Sequence, residues 1–513
     1  MSASWLPTTV RLAVASRVVV VALAVVGDLL ITDHQTEGAL VFDFDASCNA
    51  SRFFRAFSRW DAAHFLQLSL EGWRSEYSHA FFPMYPMLVR GLAALLAPLL
   101  SPPLCAHELH ILSGVLLSNA AFVVAACCLH ALGERALRDP PLARAAVRLF
   151  CLSPASIFFS SLYSESCFAA ATFGGLLLLE RDSPWAAALL LGVASACRAN
   201  GLTNALLLGY FGLCRVGAAL DAAARAAPAT AGPRARRGAG GAWPSRRPGA
   251  PSWRTQLRAA APAVLATVAQ LAFVVAPYIG WQVVGYCRVC GSSGAGLAAS
   301  GLGATPTRLQ RLPDQAGLPA GWCEGWLPDL YAHVQATYWG VGLFQYFALR
   351  QLPNFALAAP VISLCACCVA ATAAGLRRRL RGSDSTAALR SLLRLRPEGD
   401  RPDAKPDEAA SVGGGAVVAP RVLAYTAHWA AMTCVMLLLS NVQVTTRLVC
   451  AGCAPVHWYA AHLLREDTRE EEAELAAGPR AQPHHARRLW LRLGGAAYGV
   501  CGILLHANNY PWT

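Results

Sequence analysis

The chain is predicted to be an all-α polytopic membrane protein, and three observations carry that expectation. Of its 513 residues 55% are hydrophobic and only 14% charged. The mean hydropathy is +0.39, beyond what a soluble core needs. Apolar runs of about 20 residues, enough to cross a bilayer as a helix, recur along the chain.

The clearest runs are residues 12–32, 109–131, 184–214, 259–284, 352–375, 421–440 and 489–507. Shorter or proline-interrupted candidates are 80–104, 149–163, 165–180 and 448–464, so about eight to eleven spans are expected. The first run is long, contains Arg17 and Asp28, and lacks a small-residue cleavage site before Asp33. It is therefore expected to be a retained helix with a cytoplasmic N-terminus rather than a signal peptide. The parity of spans between residues 80 and 215 is left open, because Pro83, Pro86, Pro102, Pro103 and Pro154 break that region.

A net charge of +13 in a soluble protein would point to nucleic acid, but the arginines here gather between apolar runs, as membrane topology requires. Residues 215–258 hold Arg215, Arg225, Arg234, Arg236, Arg237, Arg246, Arg247, Arg254 and Arg258 against the single acid Asp221. Segment 218–256 reads as a disordered cytoplasmic loop rich in Ala, Gly, Pro and Arg, and 376–416 reads the same way. Residues 33–79 then form a first lumenal loop, which contains the sequon Asn49-Ala50-Ser51, and 285–350 form another. Most of the eighteen cysteines lie in apolar runs as small hydrophobes. A structural disulfide is expected only among a few, such as Cys287, Cys290 and Cys323, on the oxidising side. The CxxC spacing of Cys287 and Cys290 is too little for a zinc site, and no metal is assigned.

In 52–79, Phe53, Phe54, Phe57, Trp60, His64, Phe65 and Leu68 recur at helical spacing. That pattern predicts an amphipathic helix on the lumenal surface. Asp61 is the one acid between Asp45 and Glu71. An acid held at the water–lipid boundary suits a general base acting on an acceptor hydroxyl; the bland alternative is that Trp60 anchors the helix and Asp61 faces water. His64, one turn on, could orient Asp61 or contact a phosphate. Glu76 precedes the next apolar run, and Glu165, beside Tyr163, lies between two such runs, where acids are costly and tend to be functional. Arg198 and Asn200 interrupt residues 184–214, and Gln443 and Arg447 follow 421–440. An arginine fork suits a phosphate, and Arg447 is the better candidate. Arg198 equally fits a cytoplasmic position.

Several motifs in this order resemble one family. They are Trp60-Asp61-Ala62-Ala63-His64-Phe65, Ala80-Phe81-Phe82-Pro83, Leu152-Ser153-Pro154-Ala155 with Tyr163-Ser164-Glu165, Arg198-Ala199-Asn200-Gly201-Leu202, Pro353-Asn354-Phe355-Ala356-Leu357-Ala358-Ala359-Pro360, Thr446-Arg447 and Pro511-Trp512-Thr513. Together they are similar to GPI mannosyltransferases of the PIG-V type, from the first helix to the last residue. The resemblance implies a GT-C type helical bundle in the endoplasmic reticulum membrane with a lumenal site. It implies transfer of a second mannose, in α1,6 linkage, from dolichyl-phosphate mannose to a GPI precursor glycolipid by an inverting single displacement. It assigns the base role to Asp61 with Glu165 as the backup acid, a site-shaping role to Trp60 and His64, and the donor phosphate or acceptor headgroup to Arg447 and Gln443; the residue reading adds Glu76, Tyr163 and Glu165 as site-shaping candidates and Arg198 and Asn200 as candidates for donor-phosphate or acceptor binding. The resemblance implies no cofactor beyond the donor substrate, and its partners are the two lipid substrates, membrane lipids and an accessory membrane subunit rather than nucleic acid. The alternatives are a lipid transporter or scramblase, whose polar groups line a pathway, and a non-catalytic subunit of a GPI-assembly transferase. An acid with aromatic neighbours in the first lumenal loop favours the enzyme.

Overall fold

The computed structural model describes residues 5–34, 52–101, 103–226, 252–290, 321–324, 328–381, 422–477 and 494–510. Regular structure among them is helical throughout, as expected of apolar segments that must satisfy their own backbone groups. The helices used here are α1 (Leu6–Leu30), α2 (Arg52–Arg55), α3 (Asp61–Glu71), α4 (Met84–Leu100), α5 (Ala106–Leu137), α6 (Pro140–Cys151), α7 (Glu165–Glu180) and α8 (Pro184–Cys197). They continue with α9 (Asn204–Ala226), α10 (Trp253–Val289), α11 (Leu330–Trp339), α12 (Leu352–Arg381), α13 (Leu423–Leu439), α14 (Thr445–Gly452), α15 (Ala454–Ala477) and α16 (Gly495–Ala507). Among the described residues, five helices are long and apolar enough to cross a membrane, including α1, α5 and α10.

Contacts between helix termini sort the connections into two ends. At one, His34 donates its backbone N–H to Asn508 O at 2.9 Å, Arg198 meets Glu165 at 2.6 Å, Trp281 Nε1 donates to His79 O at 2.9 Å, and Arg447 meets Asp61 at 2.7 Å. At the other, Thr9 Oγ1 lies 2.7 Å from His130 Nδ1, Arg465 pairs with Asp139, and Tyr425 Oη donates to Glu180 Oε1 at 2.6 Å. Between these ends α1, α5, α6 with residues 152–164, α7, α8, α9, α10, α12, α13, α14 with α15, and α16 alternate in direction.

Several sequence expectations need correction. The run 184–214 is not one helix: α8 stops at Cys197, a 3-10 turn over Ala199–Thr203 follows, and α9 returns. Gly201 permits this turn, because a Cβ there would lie 2.5–2.6 Å from the backbone of Ala194 and Ser195. The run 80–104 is not a pass. Tyr85, near the start of α4, bonds Ser118 in α5 at 2.9 Å, and the chain after α4 leads to Cys105, the N-cap of α5, so α4 lies along the first third of α5. The amphipathic segment 52–79 is two helices, α2 and α3, broken at Trp60, whose φ of 57° is positive. The loops assigned to 218–256 and 376–416 are shorter than expected, since α9 runs to Ala226, α10 starts at Trp253 and α12 runs to Arg381. Their remainder, the sequon and Pro511-Trp512-Thr513 lie outside the described residues. In the 285–350 loop α10 extends to Val289, and Cys290 is disulfide-bonded to Cys323, one of the pairings expected.

Residues 152–164 carry no long helix, because Pro154 cannot continue α6. Their freed carbonyls are bonded by Arg17 of α1, which is 3% exposed and donates to Ser156 O at 2.9 Å and Cys151 O at 3.3 Å. The guanidinium also lies 3.8 Å from the centre of the Phe122 ring, which stacks on Phe150 at 4.6 Å. A buried arginine is tolerated when its donors are satisfied, and here its charge shapes the segment that delivers Tyr163 and Glu165.

Candidate functional site

Four helix termini converge at the first end. Asp61 opens α3 and Glu165 opens α7, where the partial positive charge of a helix N-terminus favours carboxylates. Arg198 caps the C-terminus of α8, where the dipole favours a cation. Arg447 lies in the first turn of α14, where the dipole opposes it, so the neighbouring acids must hold its charge. They do: Arg447 Nη2 meets Asp61 Oδ2 at 2.7 Å and its Nε lies 3.4 Å from Glu165 Oε1, which Arg198 Nη1 approaches to 2.6 Å.

The result is an alternating chain Asp61–Arg447–Glu165–Arg198. Glu165 is fully buried and Arg447 12% exposed, whereas Asp61 is 34% exposed and forms the accessible end. Two arginines on one buried carboxylate leave a single positive charge, which the Asp61 carboxylate balances, so an anionic ligand gains a cation here by drawing Arg447 away from Asp61. Burial pushes the Asp61 carboxyl up, but the charge and hydrogen bond of Arg447, with His64 and Arg198 beyond, more than reverse it and hold the group below its ordinary value of 3.8. Asp61 is thus a carboxylate at neutral pH. The expectation that it merely faces water does not hold.

Aromatic rings wall the cluster. The Arg447 guanidinium lies 5.2 Å from the Phe158 ring centre and 5.5 Å from that of Tyr163, close enough for cation–π attraction. Tyr163 Oη donates to Arg59 O at 3.3 Å, and His506 Nε2 lies 3.4 Å from it. Trp60, 39% exposed, stands at the rim.

Other candidates from the sequence fall around this chain of charges. His64 stacks on Phe81 at 4.9 Å and meets Tyr77 edge-on at 5.7 Å; burial lowers its pKa against the pull of Asp61. Its ring contacts make it an aromatic support of the site. Glu76 belongs to a neighbouring cluster, accepting from Tyr338 Oη at 3.2 Å with His333 Nε2 at 3.8 Å. Gln443 lies four residues before Arg447 and accepts from Tyr346, which Asn354 also bonds at 2.8 Å. Asn200 places its carbonyl on Thr203 Oγ1 at 2.8 Å, and its buried Nδ2 has no hydrogen-bond partner. Arg198 is at the site end, against Glu165, and not at the far end.

Sequence reasoning placed Arg59 in the polar and aromatic cluster of residues 59–65 without giving it a role, and it missed three other participants. Arg17 looked like an ordinary charge, His506 is a lone histidine in an apolar run, and Tyr346 gave no pattern. Only Arg17, a charge deep inside an apolar run, carried a signal that could have found it.

The chain is similar to several known proteins along its whole length. It is 29% identical to the GPI alpha-1,6-mannosyltransferase 2 of Cricetulus griseus, covering 98% of each chain. It is 26% identical to the protein of the same description from Homo sapiens, again over 98% of both. Among solved structures, an oligosaccharyltransferase of Archaeoglobus fulgidus aligns with 97% of this chain and 56% of its own, at 13% identity and a TM-score of 0.40, a likeness too slight to bear weight. The profile of the mannosyltransferase (PIG-V) family matches residues 8–225 and 252–513, which takes in every group in the chain of charges from Asp61 to Arg447, and the protein therefore belongs to that family of glycosyltransferases.

Proposed function

We propose that the chain transfers the second mannose, in α1,6 linkage, from dolichyl-phosphate mannose to a GPI precursor glycolipid on the lumenal side of the endoplasmic reticulum membrane. The observation that carries this reading is the ion pair of the accessible Asp61 with Arg447, backed by Glu165 and Arg198. It supplies a base and a phosphate-binding charge side by side. The relatives described as GPI alpha-1,6-mannosyltransferase 2 support the linkage and the acceptor. The disulfide Cys290–Cys323 and the bonded Cys105 lie toward the site end, which fits an oxidising lumen. The arginine-rich stretch 227–251 joins helices at the opposite end, as a cytoplasmic loop should.

A β-linked phosphate donor and an α product require inversion, so one displacement at the anomeric carbon suffices. The acceptor hydroxyl attacks, Asp61 takes its proton, and the bond to the dolichyl phosphate breaks with the electron pair on the phosphate oxygen. Arg447 stabilises the negative charge there, with Arg198 behind Glu165. The pairing also sets timing. When a donor phosphate draws Arg447 toward itself, Asp61 loses part of the charge that lowers its proton affinity and becomes a better base in the loaded site. Gln443 and Asn200 are assigned to the substrate headgroups around this core, and Trp60, His64, Glu76 and Tyr163 to its shape.

The test is mannose transfer from dolichyl-phosphate mannose to a monomannosylated GPI precursor in membranes that lack the endogenous enzyme. Wild-type chain is expected to make the dimannosyl product, and Asp61→Asn at equal abundance is expected to make none. Product from both would remove Asp61 from the base role and move Glu165 into it. A folded wild type that makes none would favour the transporter or subunit reading.

A further inference from the structure

Arg59 precedes Trp60 and Asp61, and its side chain joins parts of the protein that are distant in sequence. Nη2 donates to Asp33 Oδ2 at 2.7 Å and to Asp28 Oδ1 at 3.2 Å, and Nε donates to Ala507 O at 3.3 Å. Asp28 lies in the last turns of α1, and Ala507 is the last residue of α16. The two helix ends are themselves tied: His34 N–H donates to Asn508 O at 2.9 Å, Asn509 Nδ2 donates to His34 O at 3.2 Å, and His34 stacks on Tyr510 at 5.0 Å. The Arg59 carbonyl accepts from Tyr163 Oη at 3.3 Å. Residue 59 is thus fixed by its side chain and its backbone at once.

Trp60 has φ 57° and ψ −130°, a conformation that a bulky L residue adopts only where its flanks are held. One flank is Asp61, pinned by Arg447. The other is Arg59, and it has no role in the chain of charges described above.

We infer that Arg59 is a positioning residue, whose clamp on α1 and α16 keeps Trp60 in its strained backbone conformation and so holds the Asp61 carboxylate against Arg447. The inference rests on the proposed role of Asp61 as base. Arg59 touches neither substrate nor reacting atom; it acts through the peptide of Trp60. Without the clamp Trp60 relaxes to negative φ, the start of α3 turns, and Asp61 leaves Arg447. The charged and titratable groups facing Asp61 are then Arg198 after α8, Tyr163 from the segment before α7, His64 from its own helix and His506 from α16, with Glu165 one arginine further off. None replaces a direct guanidinium contact. A carboxylate that loses an arginine partner titrates at higher pH.

The experiment uses the full chain in membranes lacking the endogenous activity, with saturating dolichyl-phosphate mannose and a pH series. Arg59→Gln is expected to lower kcat about 10- to 100-fold, the scale of a misplacement of about 1 Å. The KM for the donor should stay near wild type, and the acidic limb of kcat should move up on the order of one pH unit. Arg59→Lys keeps a charge beside Asp28 and Asp33 but not the fork that also reaches Ala507, so it should fall between. A lower kcat with an unmoved acidic limb would make Arg59 a merely structural residue and overturn the inference, as would an unchanged kcat. If Arg59→Gln does not accumulate, Asp33→Asn, which removes the shortest contact of the clamp at a 40% exposed carboxylate, should shift kcat and the acidic limb in the same directions. Transfer surviving in Asp61→Asn would defeat the base assignment, whereas inactive Asp61→Asn beside a normal Arg59→Gln defeats the positioning role alone.

Discussion

Replacing Arg447 by Gln removes the charge at the centre of the alternating chain and leaves a shorter, neutral polar side chain. In the wild type this guanidinium serves Asp61 at 2.7 Å and Glu165 at 3.4 Å. Loss of a preorganised donor at developing negative charge costs about 100- to 1,000-fold in kcat, and that is the expected fall. The pH dependence gives an independent sign. In the wild type burial raises the Asp61 carboxyl and Arg447 more than cancels it; in the variant burial persists and the largest opposing charge is gone. The pKa of Asp61 therefore rises, the proton stays on to higher pH, and the acidic limb of the rate moves up while the rate near neutral pH is limited by the lost charge. Arg447→Lys restores charge but, with one ammonium on a flexible stem, cannot serve both carboxylates, and it should recover kcat only partly. The assay is the initial rate of mannose transfer in membranes from about pH 3 to 8, a range that reaches below the ordinary carboxylate value and up past that of histidine. Arg447→Gln that keeps kcat within about threefold, or that loses it without a shift of the acidic limb, would refute the assignment. A second variant guards against simple unfolding. Arg447→Gln with Glu165→Gln removes the buried charge that the first change leaves with Arg198 alone, and it should recover thermal stability without recovering transfer.

Gly201→Ala should disturb the site from outside it. Its Cβ would lie 2.5 Å from Ser195 N and 2.6 Å from Ala194 O, so the turn after Arg198 must open, at a cost of about 1–3 kcal/mol; thermal unfolding of the purified protein and the transfer rate should fall together, and an unshifted Tm would show that the turn has slack. Cys290→Ser opens a closure of 33 residues and is expected to lower stability by about 3–4 kcal/mol in the chain-entropy treatment. Reduction should then lower the Tm of the wild type more than that of the variant, and equal losses would mean that this disulfide contributes little.

The helical class, the long apolar helices and the acid to watch were legible because each rests on local chemistry. A run of apolar residues specifies a membrane helix by itself, and Asp61 stands out because few acids occur near it. What the sequence hid depends on distance along the chain. Arg447 and Asp61 pair across 386 positions, and nothing in either neighbourhood announces the other. Residues 184–214 read as one apolar run because a two-residue polar interruption, Arg198 and Asn200, is cheap to overlook, yet those residues turn the chain back. The single helix expected over 52–79 failed for a related reason. Periodicity of the aromatic residues continues through Trp60, while the backbone does not, because Arg59 and Asp61 are each bound elsewhere.

These misses share a physical origin. A transmembrane helix satisfies its own backbone and has no orphan donors or dipole ends to offer in mid-course; a polar site in such a protein has to be made where helices break. Every group in the charge chain lies at such a break: Asp61 after the strained Trp60, Glu165 after the irregular 152–164, Arg198 at the turn into α9, and Arg447 just past the short turn over Val442–Val444. Three of the four also occupy the helix end whose dipole favours their charge. The exception is Arg447, at an N-terminus that repels it, and the two carboxylates that offset this repulsion include the acid it must release when a phosphate arrives. An arginine held only by groups that are themselves exchangeable is easier to transfer to a ligand than one seated on a favourable dipole. That makes Arg447, rather than Arg198, the member of the cluster suited to move.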